Sequence, residues 1–120
     1  MGGHIDCWDL GTGAMDDASG CFVTWSALEA IRKLGIKPKR TIRVCFWTNE
    51  ENGLRGGTAY AEQTTDDTHV LAMEVDGGTF QPTGFSGNVD GDLKTDVERL
   101  MQSTAVVGAA TLVEGEGGAD

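Results

Sequence analysis

The sequence predicts an α/β layered domain with a largely parallel sheet. Three observations carry that prediction. Apolar runs at 41–47 and 70–75 read as strands, and they alternate with stretches of helical periodicity. Both runs are followed at once by acidic residues: Glu50 and Glu51 after the first, Asp76 after the second. Parallel strands deliver side chains to one rim in this way, and α/β proteins place their sites at that rim.

Taken in order, residues 1–4 read as the tail of a preceding element, because Gly-Gly-His needs flanking structure to be useful. Residues 5–15, with Asp6, Asp9, Gly11 and Gly13, read as a loop. Asp16-Asp17-Ala18-Ser19-Gly20 opens a helix, where Asp or Ser caps free N–H groups and suits the helix dipole. Phe22, Trp25, Leu28, Ile31 and Leu34 form its apolar stripe, Gly35 ends it and Pro38 follows. The basic cluster Lys37, Lys39, Arg40 reads as a solvated turn. After the strand at 41–47, a short helix is expected over about 54–63, then a polar turn and the second strand. Residues 79–91 read as loop, 93–103 as a weak helix with Leu93, Val97, Leu100 and Met101 on its apolar side, and 109–113 as a short apolar run.

The chain has 120 residues, 39% hydrophobic and 23% charged, which suits one modest domain. Its 18 glycines imply many tight turns. The net charge of −10 argues against nucleic acid or an anionic membrane surface as partner, and fits cation binding or plain solubility. Cys7, Cys21 and Cys45 form no CxxC pair, so a cysteine zinc site has no support. Cys21 and Cys45 read as core thiols. No apolar run reaches membrane-spanning length, and Met1-Gly2-Gly3-His4 has no signal-peptide character, so an export signal would have to come from a missing N-terminal part.

Seven residues fall at loop tips near strand ends or a helix start: His4, Asp6, Asp16, Asp17, Glu50, Glu51 and Asp76. One imidazole and several carboxylates suit Zn²⁺ or a similar divalent ion. The adjacent Glu50 and Glu51 can divide the work of metal ligand and proton carrier, since neighbouring side chains point in different directions. The plainer readings stand beside these: Asp16 and Asp17 as helix caps, Asp76-Gly77-Gly78 as a turn, Glu50-Glu51 as a solvated acidic turn. Gly11-Thr12-Gly13-Ala14-Met15-Asp16 is no phosphate loop, since it has neither GxGxxG nor a P-loop lysine. An acidic calcium module is disfavoured by the imidazole, because calcium prefers oxygen shells.

Four segments occur in order: Gly2-Gly3-His4-Ile5-Asp6, Gly13-Ala14-Met15-Asp16-Asp17-Ala18-Ser19-Gly20, Trp47-Thr48-Asn49-Glu50-Glu51-Asn52-Gly53 and Met73-Glu74-Val75-Asp76-Gly77-Gly78. Together they resemble metallopeptidase family M28, the co-catalytic zinc aminopeptidases and their relatives. Cys7-Trp8-Asp9, Lys37-Pro38-Lys39-Arg40-Thr41 and Gly78-Thr79-Phe80-Gln81-Pro82-Thr83-Gly84 are similar to a carboxypeptidase branch of that family. The likeness weakens over 86–112 and returns at Gly115-Glu116-Gly117 and Asp120.

The resemblance implies a three-layer α/β/α zinc-peptidase domain, phosphorylase/hydrolase-like, with a mostly parallel sheet. Residues 1–120 would be its central segment. It implies two zinc ions, with His4 and Asp76 on one metal, Glu51 on the other, Asp16 bridging both and Glu50 as general base. Asp6 would fix the imidazole tautomer from outside the ligand sphere, and Asp17 would be a neighbour at the helix start. The family has a further metal-binding His beyond the point where this chain ends, and His69, which precedes a strand, does not align with it. The second metal therefore keeps only Asp16 and Glu51.

The implied activity is zinc-dependent exopeptidase or dipeptidase hydrolysis of dipeptides or short peptides by metal-activated water. The alternative is an inactive fragment of the fold that binds at most one divalent metal. A peptide substrate, a homodimer as in relatives, and a secreted or lysosomal location are also implied, with no membrane span.

Overall fold

The computed structural model describes residues 1–78, 80–89 and 91–115. Thr79, Glu116, Gly117 and Asp120, which took part in the resemblance, lie outside the described residues. The chain divides into two units, Met1–Thr79 and Phe80–Asp120.

In the first unit, β1 (Gly2–His4) pairs in parallel with β2 (Cys45–Trp47), with Gly2 opposite Cys45 and His4 opposite Trp47. On its other side β1 meets Glu74 through a parallel bridge: the Gly2 N–H donates to the Met73 carbonyl and the Val75 N–H to the Gly2 carbonyl, both at 3.0 Å. Residues 1–4, read as a tail, are thus the centre of the pairing. Glycines have low strand propensity, so their role is decided by neighbours on both sides and not by local preference. The expected strand at 41–47 shortens to Cys45–Trp47, and the one at 70–75 reduces to its single bridge at Glu74. Ladder pairing reaches only as far as partner backbone is present. Cys21 is buried as expected, whereas Cys45, at the first position of β2, is only half-buried.

Helix α1 (Ala18–Lys33) starts and stops where the capping residues predict. Its buried face is different. Ser19, Gly20, Cys21 and Thr24 are buried, while Phe22 and Trp25 of the apolar stripe are 65% and 46% exposed. The reason is close backbone approach. A Cβ on Gly3 would meet the main chain of Cys21 at 2.7 Å, and one on Gly20 would meet the Val75 carbonyl at 1.8 Å. Only the small-residue face of α1 lets helix and strand come that near. Helix α2 (Arg55–Gln63) follows β2 closely, matching the expected 54–63.

The second unit holds β3 (Gly84–Gly87), α3 (Gly91–Met101), a 3₁₀ turn over Gln102–Val107 and β4 (Thr111–Glu114), with β3 and β4 parallel. A parallel pair joined through a helix is a βαβ unit. Strand β3 falls where loop was expected, because Gly84-Phe85-Ser86-Gly87 carries little strand signal until β4 pairs with it. Met101 and Ala109 form its buried apolar centre.

Candidate metal centre

Among the described residues, the first unit buries more polar than apolar side chains: His4, Asp17, Ser19, Thr24, Glu50 and Glu51 against Cys21 alone. A group buried in this way must find partners, and those partners define the site. His4 ends β1 and is fully buried. Its Nδ1 lies 3.0 Å from the Asp6 carbonyl, which can only accept, so the neutral ring carries its proton on Nδ1. Nε2 then offers a lone pair. It lies 2.9 Å from Asp16 Oδ1, 3.4 Å from Asp76 Oδ1 and 3.8 Å from Glu50 Oε2.

The Asp6 carboxylate does something the sequence did not reveal. It lies 3.6 Å from His4 Nδ1, and its two oxygens accept the main-chain N–H groups of Glu50 (3.0 Å) and Glu51 (3.4 Å). The ring tautomer is therefore set by Asp6's carbonyl, while its carboxylate holds the turn after β2. That turn is shaped by Asn49, whose φ of 60° is left-handed and suits Asn better than most residues. The Asp6 carboxyl sits below its ordinary value. Burial alone would raise it, but the N–H donors and His4 outweigh burial.

Asp16 and Asp17, joined by a cis peptide bond, have separate surroundings. The half-buried Asp16 faces His4 Nε2. Asp17 is fully buried and caps α1: Oδ1 accepts the Gly20 N–H at 2.9 Å and Oδ2 the His4 N–H at 3.0 Å. One carboxylate thus ties β1 to the helix start.

Among the described residues, two groups of three bring potential ligand atoms within 4.8 Å of one another: His4, Asp16, Glu51 and His4, Asp17, Asp76. Both oxygens of Asp17 are already committed to N–H groups, whereas His4 Nε2, Glu51 Oε1 and Asp76 Oδ1 are buried with no hydrogen-bond partner. An orphaned buried acceptor costs about 1–3 kcal/mol. Glu51 and Asp76 belong to different groups that share His4, and unpartnered acceptors gathered about one imidazole are the arrangement a divalent cation relieves; a nitrogen-plus-carboxylate set suits zinc. The residues present fit such an ion.

The electrostatics agree. Burial first, then neighbouring carboxylates, pushes three carboxyls above their ordinary values: Glu50 beside Asp76, Glu51 and Asp6, Glu51 beside Asp16 and Asp6, and Asp76 beside Asp17 and Asp16, with His4 opposing in each case. His4 is raised: burial opposes its charged form, but Asp76, the Asp6 carbonyl, Glu50 and Asp17 outweigh that. Glu74 joins the cluster as a further acid that sequence reading left in a strand. Much of the residue is exposed, yet burial of its carboxyl, then Asp76 and Glu50, raises it. Its spacing of two from Asp76 was the available signal, since alternate strand residues share a face. His69 belongs elsewhere: its Nε2 lies 3.1 Å from the Tyr60 hydroxyl. A cleft of about 480 Å³ adjoins Glu50, lined also by Trp47, Leu54, Thr58, Met73 and Glu74.

Comparison with known proteins gives this geometry a lineage. The profile of Peptidase family M28 matches residues 1–116. The chain belongs to peptidase family M28. It is similar to carboxypeptidase Q of Xenopus laevis, 41% identical over 120 residues, which covers 96% of this chain and 26% of that protein. Carboxypeptidase Q of Mus musculus is 46% identical over 92 residues, 73% of this chain and 20% of that protein. A crystal structure of a peptidase M28 precursor from Shewanella amazonensis SB2B matches with a TM-score of 0.86 at 34% identity, covering 97% of this chain and 26% of that one. The chain thus spans about a quarter of the length of these M28 relatives, and its α/β architecture with parallel strands is that of the family. Among the described residues, no helix is long and apolar enough to cross a membrane.

Proposed function

We propose that this chain carries the metal-binding heart of an M28 exopeptidase or dipeptidase that hydrolyses dipeptides or short peptides. The observation that supports it most is the gathering of acidic groups about His4: its Nε2 and single oxygens of Glu51 and Asp76 are buried without hydrogen-bond partners, and Asp16, Asp76 and Glu50 lie within 3.8 Å of Nε2. In this reading His4, Asp16 and Asp76 hold one zinc ion, and Asp16 and Glu51 contribute to a second. Bound zinc supplies Lewis-acid polarisation of the scissile carbonyl and acidifies water.

The remaining work falls to the chain. Glu50 is the general base: it stands farther from His4 Nε2 than Asp16 or Asp76 and belongs to neither close group of three. Its raised carboxyl brings its proton affinity nearer that of its partners, so it can take a proton from the attacking water and return it to the leaving amine. Asp6 keeps the Glu50–Glu51 main chain in place, and Asp17 keeps the His4 main chain on the helix start. The secretory or lysosomal location and the homodimer implied by the resemblance go with this reading.

A second reading also has an observation behind it. Both candidate groups share His4, and one Nε2 lone pair serves one ion. These 120 residues would then hold one metal well and hydrolyse nothing. Native mass spectrometry with zinc, paired with dipeptide hydrolysis, separates the two. Two zinc ions with turnover support the peptidase; one zinc ion without turnover supports the second reading. Glu50→Gln should keep zinc and lower turnover by about 10²–10⁴-fold. Equal loss of zinc and turnover would make Glu50 a ligand.

A further inference from the structure

The first unit has a second charged pole, far from the metal centre. The twelve residues 32–43 hold Arg32, Lys33, Lys37, Lys39, Arg40 and Arg43 and no acid, while the rest of the chain holds three cations against nineteen acids. Every residue from 32 to 41 is exposed. Glu29 engages Arg32 through two hydrogen bonds, and Asp67 engages Arg43 at 3.2 Å. Lys37, Lys39 and Arg40 have no ion pair among the described residues.

Two aliphatic side chains stand among these cations. Leu34 is 73% exposed and Ile36 is 54% exposed. Their position is fixed by the way α1 ends. The Ile36 N–H donates to the Ile31 carbonyl and the Gly35 N–H to the Arg32 carbonyl, both at 3.1 Å, with Gly35 at φ 68°. That is a Schellman turn, which needs the left-handed residue at Gly35 and leaves the backbone beyond it well defined. Helix α1 begins at the metal centre and runs 16 residues, about 24 Å. The tip and the centre therefore occupy opposite ends of this helix.

We propose that the 32–43 turn is a peripheral docking site for an anionic lipid bilayer. Lys37, Lys39 and Arg40 meet the headgroups, and Leu34 and Ile36 enter the interface. The net charge of −10 argues against such a surface only as an average, and the segregation of charge overturns it locally. Two features favour a bilayer over a soluble polyanion. Exposed aliphatics gain free energy in the headgroup–acyl boundary and gain little against a sulfated glycan or nucleic acid. A bilayer also touches one pole only, whereas a long polyanion laid on the chain meets its acids. Docked in this way, the acidic metal centre is held away from the anionic surface. The proposal does not depend on the chain being a peptidase.

The test is co-sedimentation of the 120-residue chain with vesicles of phosphatidylcholine containing 30% phosphatidylserine, against phosphatidylcholine alone, at 0.1 M and 0.5 M NaCl. Binding should require phosphatidylserine and weaken at high salt. Each of Lys37→Gln, Lys39→Gln and Arg40→Gln should lower the partition coefficient about fivefold. Leu34→Ser with Ile36→Ser should lower it without removing its salt dependence. Leu34→Trp should show a blue-shifted emission on vesicles, and unchanged thermal midpoints certify that the variants fold. Equal binding to both vesicle types, unchanged binding of the glutamine variants, or binding to heparin but not to vesicles would overturn the proposal. So would self-association that Leu34→Ser abolishes in the absence of any vesicle binding.

Discussion

Replacing Asp17 with alanine removes the carboxylate that ties the main chain of β1 to the start of α1, leaving the Cys21 thiol on the His4 carbonyl as the remaining side-chain bond between them among the described residues. Its two carboxylate oxygens accept the His4 N–H at 3.0 Å and the Gly20 N–H at 2.9 Å, with the residue fully buried. Loss of the cap at Gly20 costs about 0.5–2 kcal/mol. The His4 N–H, orphaned in the interior, costs about 1–3 kcal/mol. Against this, burial pushes the Asp17 carboxyl above its ordinary value, so removing it also relieves a desolvated charge. Counting each bond once and allowing that relief gives a net loss of about 2–3 kcal/mol. Asp17→Asn keeps one acceptor but turns an NH₂ toward the other donor, so about 1–2 kcal/mol is expected. Urea unfolding followed by far-UV circular dichroism, at pH 7 with EDTA, should show the alanine midpoint lower by about 1–2 M. An alanine variant within about 0.5 kcal/mol of the parent, or an asparagine variant less stable than alanine, would refute the reasoning.

Three further perturbations follow from the same geometry. Asp6→Ala frees the Glu50 and Glu51 main-chain N–H groups but leaves the carbonyl that holds His4 Nδ1; zinc affinity by calorimetry should fall about 10–100-fold, and an unchanged affinity would deny the carboxylate its positioning role. Gly56→Ala and Gly57→Ala should diverge in thermal midpoint. A Cβ on Gly56 meets the Thr48 carbonyl at 2.5 Å and costs about 1–3 kcal/mol, whereas one on Gly57 meets nothing within 4 Å and should stabilise α2 by up to about 1 kcal/mol; equal shifts would contradict the packing. For pH, the folded-state values of Glu50, Glu51, Glu74, Asp17, Asp76 and His4 are raised, so the stability they contribute is complete at low pH and is lost as pH rises through their folded values; Asp6, lowered, opposes weakly. The metal-free chain should therefore lose thermal midpoint between about pH 4 and pH 8, while zinc, which needs the deprotonated forms, should restore it increasingly over the same range. A metal-free midpoint that rises through that range would count against the buried acidic cluster.

Much of the candidate site was legible in one dimension. Asp16, Glu50, Glu51 and Asp76 follow apolar strand runs or open a helix, positions that α/β chains put on one rim, and His4 stood out only as an imidazole in a glycine segment. Helix α1 could be bounded from Asp17 to Gly35 because caps act locally, through N–H and carbonyl groups within one turn of their side chains. The Schellman turn at Gly35 is local for the same reason.

What stayed hidden depends on contacts between distant segments. The apolar stripe of α1 pointed to Phe22 and Trp25, yet the helix packs through Gly20 and Cys21, because Gly3 and Val75 bring backbone too near for larger groups. Periodicity of hydrophobicity does not register smallness. β1 carried no strand signal, since Gly2 and Gly3 acquire extended structure only by pairing with β2 on one side and Glu74 on the other. Residue type and spacing determined which groups could bind a cation. Tertiary structure decided which oxygens remain available to it: the carboxylates of Asp6 and Asp17 are consumed by main-chain N–H groups 44, 45, 13 and 3 residues away. Glu51 and Asp76 each keep a buried oxygen without a hydrogen-bond partner, and so does the ring nitrogen of His4. Hydrogen-bond satisfaction is a property of the folded neighbourhood, and no composition or spacing rule states it in advance.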